Sequence, residues 1–101
     1  MLFQIVHTHT AETCPGKSPE VAKRTSEWWQ NLKKTPGVKV LAGNASTLEH
    51  TFYITVETDD YATLARALGP LLSIGTGHIS PVLTIDQTLP MAEAGVFRAH
   101  S

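Results

Sequence analysis

The chain has 101 residues, a formal net charge of −1 at pH 7, 42% hydrophobic residues and 17% charged residues, which are the proportions of one ordinary globular domain. No cluster of Lys and Arg is present, and this argues against a surface for nucleic acid or an anionic membrane. A single cysteine cannot form an internal disulfide, the N-terminus lacks signal-peptide features, and no stretch approaches the ~20 apolar residues of a membrane span. We therefore expect a cytoplasmic protein.

The first predicted element is a strand over residues 2–9, whose character changes along its length. Alternation places Phe3, Ile5, His7 and His9 on one face, so two apolar residues are followed by two imidazoles. The apolar pair suits a core, whereas the pair of imidazoles does not. This change along one face indicates a site at the end of the strand.

A loop over residues 10–18 carries the only cysteine, Cys14, and leads into a helix. Ser18, Pro19 and Glu20 are typical of an N-cap, a first-turn proline and a first-turn acid. Thr35-Pro36-Gly37 is expected to end this helix. Its apolar stripe at helical spacing contains Val21, Thr25, Trp28 and Leu32, with Ala22 and Trp29 beside it.

Two strands are predicted to form a hairpin in the middle of the chain. The first runs from Val38 to Gly43 and is followed by a turn over residues 43–46. The second, from His50 to Glu57, is rich in aromatic and β-branched residues. Its first residue, His50, shares a phase with Phe52 and with the two apolar residues that follow at the same spacing.

The last third of the chain predicts a helix, a strand and a tail. Asp59 or Asp60 is expected to cap the helix, and Gly69-Pro70 to break it. A fourth strand is predicted over residues 78–86, where Pro81 favours an edge strand or a bulge. The domain would therefore cover residues 1–86, and residues 87–101 would form a tail with a short helix that packs on a partner subunit.

The order β-α-β-β-α-β predicts an α+β, ferredoxin-like fold, in which one antiparallel sheet carries two helices on one face. Its strand order would be 4-1-3-2. Since the other face of the sheet must also be covered, we expect a homodimer.

Three segments carry a resemblance to known proteins: HTHTAETCP, EHTFYITVE and LGPLL followed by ISPVLTI. They resemble a small, largely uncharacterised family of single-domain proteins with an HTHxxExCP motif, within the dimeric α/β-barrel superfamily. More distantly, the chain is similar to muconolactone isomerases, antibiotic-biosynthesis monooxygenases and a nickel-binding group. The resemblance covers residues 1–86 and implies the fold and a dimer; the superfamily carries many chemistries, so it implies no single activity.

The predicted topology brings histidines from separate strands together. The end of strand 1 would lie beside the starts of strands 3 and 4, which places His7, His9, His50 and His78 at the same end of the sheet as the Cys14 loop. Imidazole and thiolate suit Zn, Cu, Ni or Fe. We predict a metal site made of His7, His9, Cys14 and His50, with Glu12 or His78 as a substitute ligand. The phase of His78, opposite to that of Ile79, weakens its place in this set.

Other functions compete with metal binding. A cofactor-free isomerase or monooxygenase could use His7 and His50 as an acid/base pair, with Cys14 as a nucleophile, on a small molecule held between sheet and helices. A non-catalytic dimeric protein with incidental histidines is a third reading. Trp28 and Trp29 are expected to pack in the core or at the dimer contact, but an indole facing a pocket also suits stacking on an aromatic ligand.

Overall fold

The computed structural model describes residues 1–98, which form a four-stranded antiparallel sheet and three α-helices. The strands are β1 (Leu2–His9), β2 (Val38–Ser46), β3 (Thr51–Thr58) and β4 (Gly75–Val82). The helices are α1 (Pro19–Lys33), α2 (Tyr61–Leu72) and α3 (Ile85–Glu93), and a short 3-10 helix covers Pro15–Lys17. The sheet order is β2-β3-β1-β4, so the predicted ferredoxin-like α+β topology is confirmed.

The hydrophobic core lies between one face of the sheet and helices α1 and α2. Along β1 every second residue is buried, starting with Phe3, and this is the face that meets the helices. The Trp28 Nε1–H of α1 donates to the Ala67 carbonyl of α2 at 2.8 Å, which ties the two helices together. The buried apolar residues are Phe3, Ile5, Leu32, Val38, Ile54, Val56, Leu64, Leu68 and Leu71.

Both helices begin where the sequence predicts. The Ser18 hydroxyl accepts from the Val21 N–H at the start of α1, and the Asp60 carboxylate accepts from the Thr63 N–H at the start of α2. The predicted break at Gly69-Pro70 is wrong, because α2 continues to Leu72. Near a C-terminus, proline removes one backbone hydrogen bond, and burial of the neighbouring apolar side chains offsets that loss.

Strand β2 is longer than predicted, and the turn predicted over residues 43–46 is wrong. The strand runs to Ser46 and contains a β-bulge at Leu41, where its pairing with β3 shifts by one residue. A bulge moves every later side chain to the other face. As a result Gly43 and Ala45, which pair with residues of β3 on the helix side, face α1.

The C-terminal region also differs in its boundaries from the prediction. Strand β4 covers Gly75–Val82 and is an edge strand, as Pro81 indicates, but it starts three residues early. A capping box of Thr84 and Gln87 then starts α3, so the predicted boundary at residue 86 falls inside a helix. Residues 99–101 of the predicted tail lie outside the described residues.

The second face of the sheet carries side chains that are half-buried or exposed, among them Val6, Tyr53 and His78. Near its β4 edge, the chain exposes further apolar side chains; Leu83 is 51% and Ile85 is 74% exposed. The face also carries polar side chains, among them Gln4, Thr55 and Ser80, and it is the water contact of the apolar ones that is unfavourable. In the part of the chain described, no helix has the length and apolar character needed to cross a membrane.

We expect this open face to bind a second copy of the chain. Sedimentation equilibrium at micromolar concentration should give twice the chain mass of 11.0 kDa. Val6→Lys, in the middle of the face, should shift the protein to monomer because an interface core does not tolerate an unpaired charge. Leu48→Lys, at a 95% exposed position in the turn before β3, is the control and should leave the dimer intact. A native chain that sediments as a monomer would contradict this expectation.

Candidate metal centre

The end of β1 carries two buried imidazoles on the face that meets the helices. His7 is 1% exposed and His9 is 5% exposed, and they continue the face of Phe3 and Ile5. Since β1 is bonded to β3 on one side and to β4 on the other, its side chains have little freedom to move along the sheet. The predicted change from core to imidazole along one face is present in the structure.

Three potential metal ligands meet beyond this strand end. One ligand atom each from His9, Cys14 and His50 lies within 4.8 Å of the other two. His9 is buried, whereas Cys14 and His50 are half-buried, so one side of the group reaches solvent. These three residues, from three separate segments, are called the His-Cys-His cluster below.

The position of His50 is set by backbone pairing with β1. The His9 N–H donates to the His50 carbonyl at 2.9 Å, and the two rings lie 5.5 Å apart in an edge-on arrangement. His50 has φ +52°, the left-handed region, which no other non-glycine residue among the described ones adopts. That conformation costs about 1 kcal/mol or more. His50 thus precedes β3 instead of beginning it, but its ring still lies against His9.

The sulfur of Cys14 is oriented by the loop that carries it. The Gly16 N–H donates to the Cys14 Sγ at 3.4 Å, where the side chain caps the short 3-10 helix. The Lys17 N–H donates to the Cys14 carbonyl at 2.9 Å and closes the same turn. Because Cys14 is a free cysteine held by local backbone contacts, its sulfur remains available as a ligand.

Buried nitrogen atoms without partners mark this end of the sheet. Among the described residues, the Nδ1 atoms of His7, His9 and His50 are buried and accept or donate no hydrogen bond. Leaving such an atom unsatisfied costs about 1–3 kcal/mol. A ligand that bonds to imidazole nitrogen would remove part of this cost.

The environment also favours neutral imidazoles. Burial lowers the pKa of His9, and the nearby His7 and His50 rings lower it further because a second positive charge there would be repelled. Burial lowers the pKa of His7 as well, opposed by its bond to the Leu71 carbonyl. A neutral imidazole has a free lone pair for a metal ion.

Comparison with known protein families assigns the chain to a family but indicates no reaction or ligand. Residues 1–96 match the family described as "Domain of unknown function (DUF3303)". The chain belongs to this family. A search of curated proteins finds no match. The assignment agrees with the resemblance to a small uncharacterised family, and the function must be argued from the geometry of this member.

His7, the fourth predicted ligand, lies beside the cluster but has a different contact. Its Nε2–H donates to the Leu71 carbonyl at 2.8 Å, across to the C-terminal end of α2. Its ring lies 5.6 Å from that of His9. Gly75 on β4 makes room for this bond, since a Cβ there would lie 2.8 Å from His7 Nε2 and would overlap the Thr8 carbonyl. Gly75 precedes the strand predicted over residues 78–86, and the structure places it within β4.

The two substitute ligands lie apart from the cluster. Glu12 is exposed and pairs with Lys17, with 2.6 Å between Oε2 and Nζ. His78 is exposed on the opposite face of the sheet, where it pairs with Val6 of β1. Its placement corrects the prediction that His78 starts β4 beside the other histidines: the strand begins earlier, at Gly75, so His78 is in its middle and in the outward phase.

Phe52 contributes to the site, although the sequence predicted it only as a residue of β3. Its ring lies 5.8 Å from the His7 ring and 5.2 Å from the His9 ring, so it covers both imidazoles from the β3 side. Register provides the signal that could have found it, because His7 and Phe52 are directly paired across the two strands.

Metal-free protein should lose stability as the pH falls below about 6.5. The pKa of His7 and His9 is lower in the folded state than the ~6.5 of an unfolded chain, so the unfolded state binds more protons in this range. The contribution of the two neutral imidazoles to the free energy of unfolding is therefore fully present above pH 6.5 and is lost as the pH falls. Urea unfolding in EDTA between pH 7.5 and 5 should show this slope, and His7→Gln should reduce it. A free energy of unfolding that is flat or rises on acidification would contradict the assignment of neutral imidazoles.

Gly75→Ala should destabilise the protein by about 1–3 kcal/mol, the usual cost of forcing an extra carbon into a filled space. The added Cβ would overlap the Thr8 carbonyl and press on His7 Nε2. Gly69→Ala is the matched control, because a Cβ at this position in α2 meets nothing within 4 Å and raises helix propensity. Urea unfolding should show that Gly75→Ala destabilises and Gly69→Ala does not; equal effects would contradict the close approach at Gly75.

Proposed function

We propose that the protein binds one transition-metal ion per chain through His9, Cys14 and His50. The observation that carries this proposal is the His-Cys-His cluster itself, whose three ligand atoms lie within 4.8 Å of one another. Ligand atoms around a tetrahedral ion stand about 3.3–3.8 Å apart when the bonds are about 2.0–2.3 Å long. A contraction of about 1 Å would complete the site, which rotation of the two half-buried side chains can supply.

The donor atoms select a class of metal. Two imidazole nitrogens and one thiolate suit Zn, Cu, Ni or Fe, whereas Mg and Ca prefer oxygen ligands. The lowered pKa of His9 leaves this ring unprotonated at neutral pH, so binding there releases no proton from it. The buried, unpartnered Nδ1 atoms of His9 and His50 add support, because bonding to an ion would satisfy atoms that otherwise destabilise the fold.

The number of ligands bears on what the ion would do. Structural zinc sites are closed by four protein ligands, whereas catalytic sites use three and leave one position for water or substrate. The cluster has three candidate ligands, and its Cys14 and His50 side is accessible to solvent. These features favour a metal centre with an open position, as in a metalloenzyme or a sensor, over a purely structural ion.

Elemental analysis of untagged protein loaded with Zn, Cu or Ni and then dialysed should find about one ion per chain; less than ~0.2 would reject the proposal. His9→Ala and His50→Ala should each weaken binding by about 100-fold or more, which exceeds the usual effect of an outer-shell change. His78→Ala removes the same side chain from the open face and should bind as the native chain does. His7→Gln should have a smaller effect than the cluster variants, since His7 Nε2 is bonded to Leu71.

Cobalt substitution should identify the thiolate. Co²⁺ bound by Cys14 should give an intense sulfur-to-metal charge-transfer band in the near ultraviolet, together with the visible bands of a tetrahedral ion. Cys14→Ser should remove the near-ultraviolet band, because the charge transfer requires sulfur. Retention of the near-ultraviolet band in Cys14→Ser would remove Cys14 from the ligand set.

His50→Gly should separate metal binding from stability. Glycine adopts the left-handed conformation without the strain that His50 carries, but the unfolded chain gains entropy, so metal-free stability should change by less than about 1 kcal/mol. The metal affinity of His50→Gly should fall as far as that of His50→Ala, because both variants lack the imidazole. Thermal unfolding with and without Zn²⁺ measures both quantities. A large loss of stability in the metal-free variant would show instead that His50 is held for packing.

One observation favours a second candidate function. His7 borders an apolar cavity of about 280 Å³ between α2 and β4, and an imidazole with a lowered pKa can act as a general base near neutral pH. A cofactor-free isomerase or monooxygenase would use His7 with His50, whose rings both lie against His9. Catalytic activity that is unchanged in EDTA would favour this cofactor-free enzyme over a metalloenzyme.

A further inference from the structure

We propose that a separate cavity, between α1 and strands β2 and β3, binds a small neutral aromatic molecule against Trp28 and Trp29. This cavity has a volume of about 290 Å³, and the residues that line it include neither His9, Cys14 nor His50. The proposal is therefore independent of metal binding. It concerns the two indoles of α1 and the facing surface of β2, which the metal site does not use.

The cavity exists because β2 presents almost no side chain to α1. After the bulge at Leu41, the residues of β2 that face the helix are Gly43 and Ala45. The Trp29 indole lies directly on the Gly43 backbone, where a Cβ would be 2.7 Å from its Cζ2 atom. A side chain at Gly43 would displace the Trp29 indole, and a large one at Ala45 would project into the cavity.

Three aromatic rings form the walls of the cavity. The Trp28 and Trp29 rings lie 6.2 Å apart with 39° between their planes, and Phe52 lines the sheet side. The Trp28 Nε1–H is bonded to the Ala67 carbonyl, and the Lys33 ammonium lies 5.4 Å from the centre of the Trp29 ring. The hydrogen bond of Trp28 and the close contact of Trp29 with Gly43 hold both rings in place, which favours a planar aromatic ligand over a saturated one.

The lining also defines the charge and size of the ligand. Among the described residues that line the cavity, none carries a charge, and the polar side chains on its α1 wall are those of Thr25 and Ser26. A charged group would meet no opposite charge on these walls, whereas one hydroxyl or carbonyl would find a partner in the Ser26 or Thr25 hydroxyl. A volume of about 290 Å³ is near the lower limit of small-molecule sites and about twice a cavity that holds benzene. The ligand class is thus a neutral molecule of one or two rings with one polar substituent.

The test uses the two indole N–H resonances of 15N-labelled protein, since the chain has only two tryptophans and both line the cavity. The probe is 4-methylphenol, titrated into EDTA-treated protein, and its saturated analogue 4-methylcyclohexanol is the matched ligand. We expect both indole resonances to shift saturably with 4-methylphenol, with a Kd of about 1 mM or lower. The saturated analogue should bind at least about 5-fold more weakly, because it lacks the π-face.

Two variants that fill the cavity from opposite walls locate the binding. Ala45→Leu acts from β2 and Ser26→Leu from α1, and each should weaken binding of 4-methylphenol by about 10-fold or more by occupying the space. Ala62→Leu, at an exposed position of α2 away from the cavity, is the control and should bind as the native chain does. Dispersed amide resonances identify the variants that are folded and therefore informative.

Three results would overturn the proposal. The first is the lack of a saturable indole shift up to about 10 mM 4-methylphenol, a concentration at which even weak sites fill. The second is equal affinity for 4-methylcyclohexanol, which would exclude aromatic recognition. The third is native affinity in a folded Ala45→Leu or Ser26→Leu variant, which would place the bound molecule elsewhere. None of these results depends on whether the His-Cys-His cluster holds a metal ion.

Discussion

The backbone pairing of β1 on both of its edges is the constraint on which the site depends. A shift of one residue in either register would turn Phe3 and Ile5 out of the core, so the hydrophobic half of the strand fixes the register for all of it. His7 and His9 are consequently held on the helix side although burial disfavours their protonated forms. The core of the domain thus determines the direction in which its imidazoles point.

The two ends of the sheet are organised for different purposes. At one end, Phe3 and Val56 are buried against apolar neighbours in the core. At the other end, the Nδ1 atoms of His7, His9 and His50 are buried without a hydrogen-bond partner among residues 1–98, and His50 takes a left-handed conformation. Unfavourable local features, such as buried atoms without hydrogen bonds and a left-handed residue, are expected where a protein's function requires them. Here they are concentrated around the His-Cys-His cluster. This contrast is a physical reason to place the function at the His9 end.

Features that depend on short-range patterns could be predicted from the sequence, whereas those set by pairing between strands could not. Alternation and capping residues are local, and they predicted the elements and the side on which His7 and His9 lie; the strand order was predicted from the β-α-β-β-α-β order of those elements. The bulge at Leu41 lies among small residues without a clear phase, and packing of α2 overrides the break expected at Pro70. The outward phase of His78 was predicted from its neighbour Ile79, whereas its place in the middle of β4 follows from where the strand begins, which pairing with β1 fixes.

Phe52 connects the two regions for which ligands are proposed. The Phe52 ring lies 5.8 Å from the His7 ring and 5.2 Å from the His9 ring, between centroids. It also lines the cavity beside Trp28 and Trp29. A molecule in the cavity would therefore touch a ring that contacts a candidate metal ligand. If that contact changes the metal affinity, thermodynamic linkage requires the metal to change the affinity for the molecule by the same factor. Binding at each proposed site can be tested without the other, and Phe52 is the residue through which the two would be coupled.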